Sequence, residues 1–481
     1  MQKKFLGNLF FIILLNVLIK PFYIFGIDAQ VQNIVGSESY GLYFTLLNFS
    51  FLFNMFLDIG VTNYNTKNTA QHPNALAKYI GSYIGLKLML GILYVIITIG
   101  FALLAGYSDK EMYLLSFFVL NQVLAGLILY LRSNFAGLHL FKIDALLSIL
   151  DRLLLIIIAS ALIYGNFTTQ TFKIEWFIYA QTFAYSATLL IGLILTWIKI
   201  GKIRLKTNKI FSIAILKKST PFAILILLMM LYTRMDSVMI ERMLPNGKEQ
   251  AGIYAQGFRL LDAVNMFAFL VAGILLPVFS RLIIEKVSVQ PILQVAGKLL
   301  TGVAIVVGVG LAINSELTIS IIYQNNIESS SKVFVWLILS FIPLSLSHVF
   351  GTLLTANNSL RLLNKMAIVG IALNIGLNYI LIPKMEAEGA AIATVITQSV
   401  TALVQLVMVM RVFKFSIHWP TMIRLSLLVV LYYFTAKVLN NQYAEIWSLL
   451  STILFGFVLL FILKLFNIKD FLSLLKSKVE T

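Results

Sequence analysis

Runs of about 20 apolar residues recur from one end of this chain to the other, separated by short polar stretches. As a helix, each run is long enough to cross about 30 Å of hydrocarbon. Helices satisfy their own backbone hydrogen bonds, which lipid cannot do for them. A β-barrel would instead show short alternating segments with polar lumen positions, and the runs here are continuous. The pattern predicts spans at 6–27, 40–61, 79–104, 112–131, 143–164, 174–198, 219–240, 252–279, 299–322, 333–356, 366–383, 389–410, 420–439 and 447–466. The expectation is an all-α polytopic membrane protein with about fourteen crossings.

Composition agrees with the pattern. The 481 residues are 59% hydrophobic and 12% charged, with mean hydropathy +0.91, against about 25% charged residues in a soluble domain. The net charge of +17 would point to nucleic acid in a soluble protein. Here its distribution excludes that partner and orients the chain instead. With the N-terminus inside, about 24 Lys and Arg fall in cytoplasmic segments and about 6 in external ones. The loop after span 6 alone holds Lys199, Lys202, Arg204, Lys206, Lys209, Lys217 and Lys218, whereas DAQVQNIVGSES and GNFTTQTF hold none. A multi-pass membrane protein with both termini cytoplasmic follows from this bias. The opening MQKKFLGNLFFIILLNVLIKPF has a run too long for a signal peptide and no small-residue cleavage site, so it reads as a retained first helix.

One polar phrase occurs twice. GSESYGLY (Gly36–Tyr43) and GKEQAGIY (Gly247–Tyr254) share the form Gly-x-Glu-x-x-Gly-x-Tyr. The first leads into span 2 and the second into span 8, both from outside. An even number of helices separates them, so the two copies have the same orientation. This is the pattern of a parallel repeat about an axis along the membrane normal. FAGLHLFK before span 5 and NNSLRLLN before span 11 are a weaker echo. The expected organisation is an N-lobe over 1–198, a basic cytoplasmic linker over 199–218, a C-lobe over 219–411, and appended helices 13 and 14 with a basic tail over 412–481. In the phrase itself, Glu38 and Glu249 meet the positive end of a starting helix. Gly41 and Gly252 permit close helix approach, and Tyr43 and Tyr254 suit the interfacial belt.

Most spans carry no central charge, and the exceptions are costly enough to face a cavity or a partner. They are Lys20 in span 1, Lys87 in span 3, Asp151 and Arg152 in span 5, Arg234 and Asp236 in span 7, and Arg259 and Asp262 in span 8. Arg259 and Asp262, three apart, can pair on one helix face. Arg234 and Asp236, two apart, cannot. Pro21 follows Lys20 and should kink its helix. A cleft between two lobes lined by these cations would attract an anionic solute. Arginine in particular binds phosphate through its planar fork.

Several chemistries are missing. There is no cysteine, and His72, His139, His348 and His418 have no metal-ligand spacing, so neither a metal nor a cofactor is expected. No Walker A motif and no Asp-x-Asp pair occur, and no external loop is long enough for a catalytic domain. The chain is not expected to be an enzyme.

Five motifs in order resemble those of the polysaccharide flippases, including O-antigen flippases, of the multidrug/oligosaccharidyl-lipid/polysaccharide exporter superfamily. They are VGSESYGLY, FLDIGVTNYNTK, LYTRMDSVMI, GIYAQGFRL with LPVFSRL, and NIGLNYILIPKMEAEGAAIATVITQ. The family often has Pro where Ser37 stands, and Leu-Gly where this chain has Val35-Gly36. The resemblance implies a two-lobe transporter of the inner membrane. Its cargo would be a polyprenyl-diphosphate-linked oligosaccharide, moved from the cytoplasmic to the external leaflet by alternating access. It further implies that Lys20, Arg234 and Arg259, with Arg152 and Lys87, hold the diphosphate. Asp58, Asp236 and Asp262 are the candidates for coupling to H⁺ or Na⁺, and Pro21 is the candidate gating kink. Membrane lipids and other polysaccharide assembly proteins are the implied partners. Two rivals stand beside this reading. A multidrug antiporter of the same superfamily would favour internal acids over the internal bases found here. A polymerase or ligase of glycan assembly would carry an external catalytic loop.

Overall fold

The computed structural model describes residues 18–19, 21–73, 76–165, 170–201, 209–415, 418–442 and 445–466. Among these it is helical throughout, with no strand, and it divides into two compact units, residues 1–238 and 239–481. Nine helices among the described residues are long and apolar enough to cross a membrane. Most of the expected span 6–27 lies outside the described residues, and where other expected spans are broken the reasons are local.

In the first unit, α1 is a π-helical turn (Tyr23–Asp28) that begins two residues after Pro21. Helix α2 (Ala29–Leu52) contains a break at Gly36, with φ 78° and ψ 167°. That backbone region is open to glycine and closed to most residues, so the repeated phrase starts a new helical segment there. The expected span 40–61 is then interrupted twice more. A turn at Phe53–Asn54 leads to α3 (Met55–Asp58), and left-handed Ile59 and Gly60 lead to α4 (Val61–Gln71). The rest match their apolar runs closely: α5 (Leu76–Leu104), α6 (Asp109–Gly137), α7 (Phe141–Tyr164) and α8 (Ile174–Ile200). Helix α6 opens with a capping box, Ser108 with Glu111, which satisfies two otherwise unpaired N–H groups. It is the hub of the unit, packing on α2, α4, α5, α7 and α8. Helix α9 (Lys209–Met243) includes the end of the basic stretch read as a linker, and residues 202–208 of that stretch lie outside the described residues.

The second unit begins within the last turn of α9. It contains α10 (Gly247–Ile284), α11 (Gln290–Ile313), α12 (Ser315–Ile322), α13 (Ile327–Leu339), α14 (Phe341–Ala356), α15 (Leu360–Phe413), α16 (Trp419–Gln442) and α17 (Glu445–Ile462). The expected span 333–356 kinks at Ser340, just before Pro343, whose missing N–H and ring weaken the helical ladder. The two expected spans 366–383 and 389–410 are the two helical arms of α15, parted at Glu386 with φ 53° and ψ −133°. The break reverses the chain. A Cβ on Gly389 would collide with the backbone of Leu381, and one on Gly370 would lie 3.6 Å from Thr401. In a straight helix, residues eight apart would be about 12 Å apart. Glu386 is held in its left-handed conformation by Asn246 Nδ2 at 3.2 Å and Gln250 Nε2 at 2.7 Å. Gln250 in turn accepts from the Ala387 N–H at 3.3 Å. Gly389→Ala is expected to lower stability by about 1–3 kcal/mol. The measurement is the Tm of the purified protein, and an unchanged Tm would remove the closed hairpin.

Helices α16 and α17 pack on one another and on α11, around Val306, Leu428, Tyr432 and Leu460. The Tyr432 hydroxyl donates to the carbonyls of Val306 and Thr452 at 3.1 and 3.2 Å. The tyrosines of the repeated phrase are not in an interfacial belt. Tyr43 and Tyr254 are each only 1% exposed and pack between helices, Tyr43 against Phe118 and Phe177. The acid of each phrase stays outside: Glu38 is exposed, and exposed Glu249 accepts from Asn326 Nδ2 at 3.1 Å.

Candidate functional site

After Gly36, α2 presents two polar faces, because residues three and four apart share a side of a helix. One carries Tyr40 and Tyr43 toward α1, α6 and α8. The other carries Thr45 and Asn48 toward α9.

On the first face, the π-turn decides the geometry. Tyr23 and Asp28 are five apart, a spacing that a π-turn brings onto one side. The Tyr23 hydroxyl donates to Asp28 Oδ1 at 3.4 Å, and the Tyr40 hydroxyl donates to Oδ2 at 2.5 Å. Asp28 is 1% exposed, and these bonds compensate part of the cost of burying it. The Tyr23 ring lies under the Arg152 guanidinium of α7 at 4.9 Å, and Tyr185 of α8 lies at 5.9 Å. Arg152 Nε is 3.9 Å from Asp151 Oδ2. Tyr43 continues the cluster, its ring 5.2 Å from that of Tyr40 and its hydroxyl accepting from Gln181 Nε2 at 2.5 Å. The result is a planar cation backed by aromatic faces and flanked by hydroxyl and amide groups. Such a set suits an anionic oxygen beside a polyol.

On the second face, Arg234 Nη1 donates to Asn48 Oδ1 at 3.3 Å, and the guanidinium lies 5.5 Å from the Phe51 ring. Asn48 Nδ2 donates to Ser237 Oγ at 3.0 Å, and the Thr45 hydroxyl donates to the Ser237 carbonyl at 3.4 Å. Arg234 is half-buried and Asp236 is buried.

Lys87 and Asp58 form a third cluster. The Lys87 ammonium donates to Asp58 Oδ1 at 2.5 Å and to the Leu57 carbonyl at 3.0 Å. Asp58 Oδ1 also accepts from the N–H of Thr62 at 3.2 Å and from its hydroxyl. The left-handed residues Ile59 and Gly60 interrupt the helical ladder here, and the pair supplies partners to the freed backbone groups. A cation expected for cargo and an acid expected for ion coupling therefore meet at a helix break.

Arg259 and Asp262 are half-buried on α10 of the second unit. Lys20 lies outside the described residues, and Pro21 stands two residues before the π-turn. Sequence reading missed Asp28 because it stands in a polar stretch taken as an external loop. Its signal was the Tyr-x4-Asp spacing, which carries no meaning for an ordinary helix. Asn48, Tyr23 and Tyr185 were missed because neutral side chains in an apolar run look like packing.

Residues 5–283 match the family model described as polysaccharide biosynthesis protein. The chain belongs to this family. Three solved structures show how the family member folds. The lipid II flippase MurJ in an inward closed conformation is similar with a TM-score of 0.71 at 17% identity, covering 96% of this chain and 97% of that one. An inward-facing multidrug resistance MATE family transporter of the MOP superfamily gives 0.62 at 14% identity, covering 83% and 94%. A MOP superfamily transporter from Pyrococcus furiosus, described by the reverse polarity of its binding pocket, gives 0.57 at 15% identity, covering 86% and 97%. At these identities the likeness is one of fold. Comparison with curated protein sequences gave no match. The family member is thus a multi-pass helical membrane protein with the fold shared by the MurJ flippase and the MATE transporters.

Proposed function

We propose that the protein is a flippase, not an enzyme. Its cargo is a polyprenyl-diphosphate-linked oligosaccharide of surface polysaccharide assembly, moved by alternating access from the cytoplasmic to the external leaflet of the inner membrane, with both termini cytoplasmic. The observation that carries this reading is Arg152, held midway along α7 against Tyr23 and Tyr185. A guanidinium at that depth is expensive and is retained for a partner, and its fork fits a diphosphate better than a cationic drug. Membership of the polysaccharide biosynthesis family supports a glycan cargo, and likeness of fold to a lipid II flippase supports a lipid-linked one.

Arg152 and Arg234, with Lys20 and Arg259, are assigned to the diphosphate. Tyr40, Tyr43 and Gln181 suit sugar hydroxyls. Lys87 is assigned to the helix break rather than to the cargo, and Asp58 with it. Asp28, Asp236 and Asp262 are left as the acids for coupling to H⁺ or Na⁺. Deleting the protein should make the lipid-linked glycan accumulate on the cytoplasmic leaflet, measured by its accessibility to an impermeant glycan-modifying reagent in oriented vesicles. Arg234→Ala should fail to restore export while expressing normally. Normal glycan sidedness in the deletion, with lost drug resistance, would overturn the flippase reading in favour of an antiporter.

A further inference from the structure

The charges of α15 are unevenly spread. Its first arm begins with Arg361 and Lys365 and its second ends with Arg411, all three exposed. No Asp or Glu occurs between Ser329 and Met385 or between Gly389 and Ala444. Glu386 and Glu388 stand at the tip of the hairpin, the far end from these cations. The register of the arms follows from Gly370, whose Cβ would lie 3.6 Å from Thr401. Both arms rise equally per residue, so Arg361 comes level with Met410, beside Arg411.

A groove of about 380 Å³ leads away from this basic end. It is lined by Leu362 of the first arm and by Leu403, Val404, Val407, Met408 and Arg411 of the second. These positions on the second arm are spaced three and four apart, so they form one face, about 12 Å long from Leu403 to Arg411. Leu403 and Val407 are 61% and 46% exposed, so the groove opens outward rather than into the helix packing. Arg411 is the one polar side chain that lines it. Positive-inside bias accounts for basic residues at this end of the hairpin. It does not account for a concave apolar slot running from them.

We propose that this groove binds an anionic phospholipid of the leaflet that the basic end meets, the cytoplasmic one by the charge bias. Its phosphate lies on the Arg411 fork, and Arg361 and the snorkelling Lys365 serve the rest of the headgroup. One acyl chain lies in the slot along Met408, Val407, Val404 and Leu403. A zwitterionic lipid would fill the slot but bring a cation of its own to the arginines. A second copy of this chain, docked by the same face, would set basic end against basic end.

The test uses the full-length protein in nanodiscs of phosphatidylcholine, with and without phosphatidylglycerol. Phosphatidylglycerol should raise the Tm saturably. The double variant Arg361→Gln, Arg411→Gln should weaken its apparent affinity about thirtyfold. Val407→Trp should abolish the saturable shift by filling the slot, and its Tm in phosphatidylcholine alone should match the wild type because Val407 faces outward. A photoactivatable phosphatidylglycerol supplies a second readout on the wild type, with cross-links expected within 361–365 and 403–412. Cross-links confined elsewhere would overturn the site. So would an unchanged affinity in the double variant, equal stabilisation by phosphatidylcholine, or occupancy by a polyprenyl phosphate that phosphatidylglycerol cannot displace. A disulfide-linked dimer formed by Val407→Cys, in a chain with no other cysteine, would give the groove to a second copy instead.

Discussion

Arg152→Gln is expected to abolish export of the lipid-linked glycan, and Arg152→Lys to restore only a small part of it. The expected loss comes from the partner rather than from the fold. A hydrogen bond to a charged group contributes about 1.5–3 kcal/mol, and a forked guanidinium makes two of them to one phosphate. Losing both weakens binding by about 3 kcal/mol or more, a hundredfold or more in affinity. Lysine keeps the charge but presents a point rather than a fork, and it cannot stack on Tyr23 and Tyr185 as the plane does. The stacking stabilises by about 1 kcal/mol and the long, part-exposed contact with Asp151 by about 1 kcal/mol or less, so Arg152→Gln should lower the Tm only modestly. Two measurements on one variant decide the matter: the sidedness of lipid-linked glycan in cells and the Tm of the purified protein. Wild-type export in Arg152→Gln would remove Arg152 from cargo binding. Lost export together with a collapsed Tm would assign it to folding.

The second large effect is an asymmetry at the break below α2. Lys87 has a side chain 2% exposed, while that of its partner Asp58 is 36% exposed. Breaking a buried pair costs about 3–5 kcal/mol because it strands the remaining charge. The stranded charge differs between the two variants. Asp58→Ala leaves an enclosed ammonium with only the Leu57 carbonyl, so a loss of about 3 kcal/mol is expected. Lys87→Met leaves a partly solvated carboxylate that still caps Thr62, so the loss should be about 1 kcal/mol after screening. The double variant should lose less than the sum of the two, since neither charge is then stranded. Denaturation of the four proteins in one detergent gives the cycle. Additive losses, or a Lys87→Met effect larger than that of Asp58→Ala, would show that the pair does not hold this break together. If Lys87 met the cargo instead, Lys87→Met would abolish export without lowering Tm.

Much of the architecture follows from the chain alone. Lipid leaves the backbone no partners but its own, so any apolar run of sufficient length must be helical. Helices α5, α6, α7 and α8 therefore fall almost where the runs do. Family membership was legible as well, because its motifs sit at helix starts and turns: Gly36 needs a positive φ, and Gly389 needs a close approach. The charged residues announced themselves by their cost.

What each charge does was not legible. Lys87 and Arg152 look alike in sequence, as single cations inside apolar runs. Their fates differ because Lys87 is met by a broken backbone 30 residues earlier, and Arg152 by rings on two other helices. Asp28 became a buried residue only because a π-turn carries α1 onward past the end of its apolar run. The hydrophobic pattern thus determined which segments are helices and that they lie in a bilayer, since that depends on local composition against a uniform solvent. Only the tertiary structure decided where those helices break and which polar groups meet, because helix phase and long-range contact are properties of the packed chain, not of any one segment.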